Sequence, residues 1–501
     1  MKIKYYLGIA IASLAFTGCS EDFLETEPTE FVSSRQIAEF SEKNPELQAA
    51  NISGIYALMY NTETGGTTGH DDFGQKSYDI YGDLLSADMV LAGLTYGWYS
   101  GISQMQATID YTDIENYRVW RYYYRIVFSA NLVIEQLGGN DAVPETEEGQ
   151  YFMGQAKALR AYGYFYLAQY FSEEYNPSEP ILPLYTTTAV EAQPLSPTSE
   201  VYDVMVSDLQ DAIELLDGYN RSAKQEINKE VAQGLLAYVY AAMGNYEEVE
   251  TLTRDVIDNG GFSLMTAEEV ARMRHDGPDT DPYGGGFNDV NTSGWMWGVD
   301  ITLDQGLDLV SWWGQVDLFT YSYAWAGDPK SIDALLYDAI PADDVRKAQF
   351  VDAYSDGVLY PINKFYAPAR EIGGQRNVTT DYLYMRVAEM YLLHAEAAAK
   401  TGNEAEARET LKTLLDERVD DSSYVDNLSG AALEAQIYLQ TRIELWGEGK
   451  SYLAMKRNQA TIVRGPNHLT NAGEAIPYNA DRLTFEIPLS EIQNNPNITQ
   501  Q

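Results

Sequence analysis

The chain has 501 residues, with 33 Lys and Arg against 75 Asp and Glu, for a formal charge of -42. That balance excludes a nucleic-acid surface, which needs clustered basic side chains, and weighs against a strongly anionic ligand. A chain this long builds a core without disulfide staples, and its single cysteine, Cys19, allows none within the chain. Tyr, at 39 against 15 Phe, joins an apolar ring to a polar tip, so the excess predicts much half-buried surface.

Lys2 and Lys4 precede an apolar run from Tyr5 to Phe16, too short to be kept as a membrane span. The run ends at Thr17-Gly18-Cys19, which resembles a bacterial lipobox. Residues 1–18 therefore read as a lipoprotein signal peptide and Cys19 as the lipidated N-terminus. Residues 19–35 read as a tether, with Ser20-Glu21-Asp22 resembling the acidic signal for the outer membrane face. The alternative is a secreted protein cleaved nearby, with an incidental cysteine.

Residues 36–501 read as one mostly α globule. Helices are predicted over 36–60, 116–137, 150–170 and 199–216. Asn228 opens another, with a turn at Gly244-Asn245. Helical spacing fails over 61–115 and 260–328, where Gly and Asp are dense. The scaffold is then 36–60, 116–259 and 329–501, with a short helix at Pro329–Ile340. Leu236, Tyr240, Gly244, Tyr246 and Val249 fit the spacing of a tetratricopeptide unit, and His394, Ala398, Gly402, Glu404 and Ala407 fall at matching offsets. Four degenerate helix pairs of this kind are expected.

Leu383, Val387, Met390, Tyr391, His394 and Ala397 recur at three- and four-residue steps. They predict a helix capped by Asp381 and ended by Gly402, followed by a second over 404–418. Downstream, Gly447 and Gly449 predict a bend.

RVAEMYLLHAEAAAKTGN resembles the R-x-A-E-x-Y-L-x-x-A-E-A signature of the SusD/RagB family. RIELWGEGKSYLAMKR resembles its R-x-E-L-x-G-E-G segment, with Ala454 where that family carries Asp. IPLSEIQNNPNITQ resembles its I-P-x-x-E-I-x-x-N-P ending, and IPADDVRKAQF and LYPINKF resemble further family segments. The resemblance implies a SusD-like fold of tetratricopeptide-like pairs with loop-rich inserts. It also implies a cell-surface lipoprotein that captures a nutrient, most often an oligosaccharide, for a SusC-like TonB-dependent outer-membrane transporter. The family packs its helical face on that transporter. Peptide ligands on the same architecture are the first alternative.

Flat sugar faces stack on aromatic rings, and sugar hydroxyls need polar partners nearby. Five of the eight Trp lie between Trp295 and Trp325, and Trp98 lies in the other insert. Trp98 with Tyr96 and Tyr99, the pair Trp312 and Trp313, and Tyr321 with Tyr323 are the candidate ligand residues. On a strand Trp312 and Trp313 would point oppositely, so one is expected at the surface. Tyr321, Tyr323 and Trp325 alternate. Trp295 and Trp297 read as a buried strand, and Trp120 and Trp446 as helical core.

Catalysis is poorly supplied. The four His are scattered, with His394 on an apolar helix face and His70, His275 and His468 isolated in loops. No nucleophile elbow, zinc-protease helix or paired-Cys site is present. Asp276, Asp279 and Asp281 resemble a calcium loop but lack its D-x-D-x-D-G spacing, so they read as a solvated acidic loop. No metal and no cofactor are expected. A surface glycosidase, or a scaffold whose insert aromatics are all buried, are the remaining alternatives.

Overall fold

The computed structural model describes residues 45–189, 191–273 and 285–498. The signal peptide, Cys19, the tether and Asp276, Asp279 and Asp281 lie outside those residues.

Helix α1 spans Pro45–Leu58, α2 Gln75–Leu85, α3 Ile114–Gln136, α4 Glu147–Phe171 and α5 Thr198–Leu215. Helix α6 spans Lys229–Met243, α7 Tyr246–Asn259, α8 Val387–Lys400, α9 Glu404–Leu415, α10 Gly430–Glu444 and α11 Ser451–Arg457. Side-chain caps fix several starts: Asp113 accepts from the Glu115 N–H, Thr146 from Gly149 and Asn228 from Val231. From α3 to α9 each helix packs on the next in order, so α7 meets α8 directly although the two lie far apart in sequence. Buried alanines, among them Ala237, Ala395, Ala398 and Ala407, permit that close approach.

His394 sits at the α7–α8 joint, buried as its apolar face predicts. Its Nδ1 lies 2.9 Å from Thr253 Oγ1 and its Nε2 2.9 Å from Arg254. Burial, with Arg254 alongside, lowers its pKa to about 4.

Four short strands matter to the site: β1 Met89–Leu91, β2 Trp295–Val299, β3 Lys330–Ile332 and β4 Tyr382–Arg386. Strand β2 pairs antiparallel with β4, and β1 with β3. Strand β4 replaces the first turn of the predicted long helix. All five of its residues are buried, and an apolar run sealed on both faces fits either period. Asp381 is therefore no helix cap. Its carboxylate accepts the N–H of Val290 at 2.7 Å and of Ile301 at 2.9 Å, pinning both flanks of β2. Helix α8 starts instead on Arg386, whose N–H donates to Glu389 at 2.9 Å.

Three further expectations shift. Helix α2 lies within 61–115, a stretch expected to be irregular. Every one of its residues is buried, its polar side chains included, and Lys76 is neutralised by Asp79 at 2.6 Å. Gly447 and Gly449, at φ 79° and 73°, end α10 outright rather than bend it. Trp446 lies in that turn, buried, with its indole N–H on the Asp88 carbonyl at 2.8 Å. The predicted helix at Pro329–Ile340 opens as β3 and turns helical only at Ala334–Ala339, behind an Asp333 cap.

Much of the tyrosine excess is fully buried. Tyr78 and Tyr122 pack at 4.7 Å and Tyr123 and Tyr166 at 5.2 Å, between α2, α3 and α4. Their neighbour Tyr170 donates its hydroxyl to the Tyr78 carbonyl at 2.7 Å.

Candidate functional site

The β1–β3 ladder carries the two irregular stretches to one place. Leu91 faces Lys330, and the Ala92 N–H continues the pairing onto the Pro329 carbonyl at 2.9 Å. Gly93 then crosses Gly327 so closely that a Cβ on Gly93 would lie 2.1 Å from the Gly327 oxygen. Buried Asp328 accepts the N–H groups of Tyr96 and Gly97, each at 2.9 Å, and that of Thr95. The later stretch thereby fixes the backbone that presents Tyr96 and Trp98.

Around that backbone four rings meet. The His70 imidazole stacks on the Trp98 indole, centroids 5.2 Å apart and planes 5° from parallel. Tyr323 sets its edge to Trp98 at 6.1 Å, and Tyr96 packs edge-on against Tyr323 at 5.1 Å. His70 Nδ1 and the Tyr323 hydroxyl are 2.5 Å apart. Nearby Tyr321 and Trp325 pack at 5.5 Å, with the Arg376 guanidinium 4.2 Å over the Tyr321 ring. Tyr96 is 59% exposed, Trp325 44% and Tyr321 36%, whereas Tyr323 keeps only 5%. Trp98 is half-buried.

Beside Trp98 opens a polar cleft of about 370 Å³, lined by Asp71, Gln104, Gln106, Glu115 and Arg118 among others. Asp71 pairs with Arg118 at 2.6 Å, both buried. Asp71 Oδ1 and Arg118 Nε are buried with no hydrogen-bond partner among the described residues. Burial, reinforced by Asp71, pushes the Glu115 carboxyl up to about 8, so it keeps its proton at neutral pH. One acceptor, one donor and a neutral acid thus lie next to an aromatic wall, a set suited to hydroxyl groups. A larger groove, of about 690 Å³, runs along α3 past Tyr124 and Phe128 and draws on none of the insert aromatics.

Of the seven candidate ligand residues, Tyr96, Trp98 and Tyr321 reach the surface at this place. Tyr99, Trp312 and Trp313 do not, and their assignment is corrected to core. Residues 312–316 form a helical turn capped by Ser311, and both tryptophans face inward. Lys76 lies 4.3 Å over the Trp312 ring, and the Trp313 indole N–H donates to the Thr380 carbonyl at 2.8 Å. Tyr99 points inward with its hydroxyl 3.1 Å from Ser77 Oγ. Tyr323 supports the cluster from within. Trp295 and Trp297 are buried in β2, as their alternation predicts. His70, Arg376 and the Asp71–Arg118 pair escaped the sequence reading. His468, expected to stand alone in a loop, is buried against Asp333 at 3.1 Å. Among the described residues no group of three or more His, Cys, Asp and Glu could hold a metal ion, and no helix is long and apolar enough to cross a membrane.

Known proteins resemble this chain along most of its length. A family described as starch-binding and associating with the outer membrane matches residues 82–241, and the SusD family matches residues 347–501. Two SusD-like proteins of Formosa agariphila are each 24% identical. One match covers 53% of this chain and 48% of that relative, so the chain spans about half its length; the other covers 77% and 79%. A SusD-like carbohydrate binding protein of Bacteroides vulgatus superposes with a TM-score of 0.74 at 26% identity, over 91% of this chain and 97% of that one. A SusD superfamily protein of Bacteroides thetaiotaomicron gives 0.73 at 24%, over 91% and 99%.

The chain belongs to the SusD/RagB family.

In this SusD/RagB protein the signature residues meet in a buried ion cluster. Arg386 reaches Glu444 at 2.7 Å and Glu448 at 2.7 Å. Arg418 and Arg346 each reach Glu444 at 2.9 Å, and Lys364 reaches Glu448 at 2.8 Å. Against the cost of burial, Arg418, Arg386 and Arg346 hold the Glu444 carboxyl well below the usual range. The SusD/RagB segments around Arg346, Lys364, Arg386 and Glu444 are therefore joined in the interior by ion pairs that include none of the exposed aromatic residues.

Proposed function

We propose that this protein binds an oligosaccharide at the bacterial cell surface and passes it to a SusC-like TonB-dependent transporter of the outer membrane. The observation that carries the reading is the exposed aromatic set beside a cleft with an unpaired buried acceptor and donor. Trp98 and Tyr96 supply flat faces for sugar rings, while Asp71 Oδ1 and Arg118 Nε await hydroxyls. The family's description as starch-binding and the carbohydrate-binding relative support the same class. Lipid on Cys19 would tether the protein, the inserts 61–115 and 260–328 would form the ligand face, and the helical array would dock on the transporter. No bond is broken, so the site needs only to match its ligand's ground state.

Calorimetric titration of the purified protein against neutral oligosaccharides and peptides tests the proposal. Binding of at least one glycan, weakened in Trp98→Ala and without release of reducing sugar, is expected. Peptide binding with no glycan binding would replace this reading, and sugar release would make the protein a hydrolase.

A further inference from the structure

We propose that His70 is a positioning residue, which backs the Trp98 indole so that a single, fixed ring face is offered to the ligand. The inference rests on the glycan-binding reading above.

The imidazole is stacked on the indole, centroids 5.2 Å apart and planes 5° from parallel, so it occupies part of one face and leaves the opposite face to a ligand. His70 is itself held through its ring and its backbone. Its side chain meets the Tyr323 hydroxyl at 2.5 Å, and its carbonyl accepts from Gln315 Nε2 at 2.8 Å. Gln315 is anchored in turn by buried Lys330, whose Nζ donates to Gln315 Oε1 at 2.7 Å. The loop before His70 is tied by buried Asp72, which accepts from Gly65 at 2.7 Å and Thr67 at 2.9 Å. A half-buried indole without that backing would sample other rotamers, and each binding event would have to freeze them again. His70 thus lends the platform its orientation while leaving its outer face to the ligand.

The first readout is taken on the free protein. Protein labelled with 5-fluorotryptophan gives a fluorine resonance for Trp98, assigned by its absence in Trp98→Phe. His70→Ala should move or broaden that line, and His70→Phe, which restores a flat ring, should return it to a single sharp signal. With the oligosaccharide selected by the wild type, His70→Ala should weaken binding about tenfold, and His70→Phe should recover it to within about threefold. Melting temperatures guard against a general loss of structure. Should His70→Ala fail to fold, Tyr323→Phe, which frees one end of the imidazole, should broaden the same line. An unchanged Trp98 line and unchanged affinity in His70→Ala would overturn the inference, as would a well-folded His70→Phe that recovers neither. If Trp98→Ala itself binds glycan normally, the functional reading fails instead, and the fluorine line still decides whether His70 orients the indole.

Discussion

The Asp328 carboxylate accepts the backbone N–H of Tyr96 and that of Gly97, both at 2.9 Å, from 232 and 231 residues away in sequence. Removing it leaves backbone donors of the 95–97 turn without their acceptor. The turn is partly exposed, so water can take over those donors, but the backbone that presents Tyr96 and Trp98 loses its fixed anchor. Asp328→Ala should therefore weaken glycan binding by titration, through the added cost of ordering the turn on binding. Asp328→Asn, which keeps one acceptor oxygen, should fall between. Wild-type affinity in Asp328→Ala would separate the turn from ligand binding.

The exposed and the buried tryptophans should respond oppositely. Tyr96→Ala, Trp98→Ala and Trp325→Ala should each weaken glycan binding by about 1–3 kcal/mol, by analogy with stacked nucleobases, with melting curves little changed. Trp312→Ala and Trp313→Ala should cost about 3–5 kcal/mol of folding stability, as large buried side chains do. Calorimetric titration beside a thermal melt separates the two groups.

Glu444 faces three guanidinium groups in a sealed site. Glu444→Gln leaves Arg346, Arg386 and Arg418 short of one counter-charge, at a cost of about 3–5 kcal/mol. The denaturant midpoint should fall with no change in slope. Glycan affinity of the folded fraction should not change, since Glu444 pairs with Arg346, Arg386 and Arg418 and with none of the exposed aromatic residues.

Glu115 makes one limb of the stability profile predictable. Its folded pKa, raised to about 8, exceeds the unfolded value near 4.5, so the folded state holds the proton longer. Its contribution is complete below pH 4.5 and fades as pH rises through about 8, by an amount on the order of a few kcal/mol. Glu115→Gln, which mimics the protonated acid, should flatten that alkaline decline in unfolding curves recorded from pH 5 to 9. An unaltered decline would place its cause elsewhere.

Cys19→Ala should move the protein from the membrane fraction to the medium or periplasm on fractionation and immunoblotting. A variant that stays membrane-bound would refute the lipid anchor.

The helical array was largely legible because most of its helices show a polar face and a readable start, as Asn228 and the turn at Gly244 do. Where a segment is sealed on both faces, as in β4, burial erases the contrast between faces, and neither period can be read. The aromatic site was legible only in outline. Trp98 and Trp312 both lie in aromatic, Gly-bearing stretches, and what sends one outward and the other inward is contact with distant chain. Trp313, for example, is drawn in by Thr380, 67 residues on. Ser311 was the one local cue, since a Ser ahead of WWGQV marks a helix start rather than a strand. His70 offered no cue at all, because its partner Tyr323 is 253 residues away.

The contact of Gly93 with Gly327 leaves no space for even a methyl group between the backbones that carry the two halves of the site. A ligand reaching it meets Tyr96 and Trp98 on a backbone already joined to the 327–330 segment. Encounter should then proceed at the ordinary pace of about 10⁵–10⁷ M⁻¹s⁻¹ for every ligand that fits, and good and poor ligands should differ in residence time. If the protein hands its ligand to a transporter as proposed, that step would not rely on these two backbones parting, and its clock would be the dissociation rate or its acceleration by the partner.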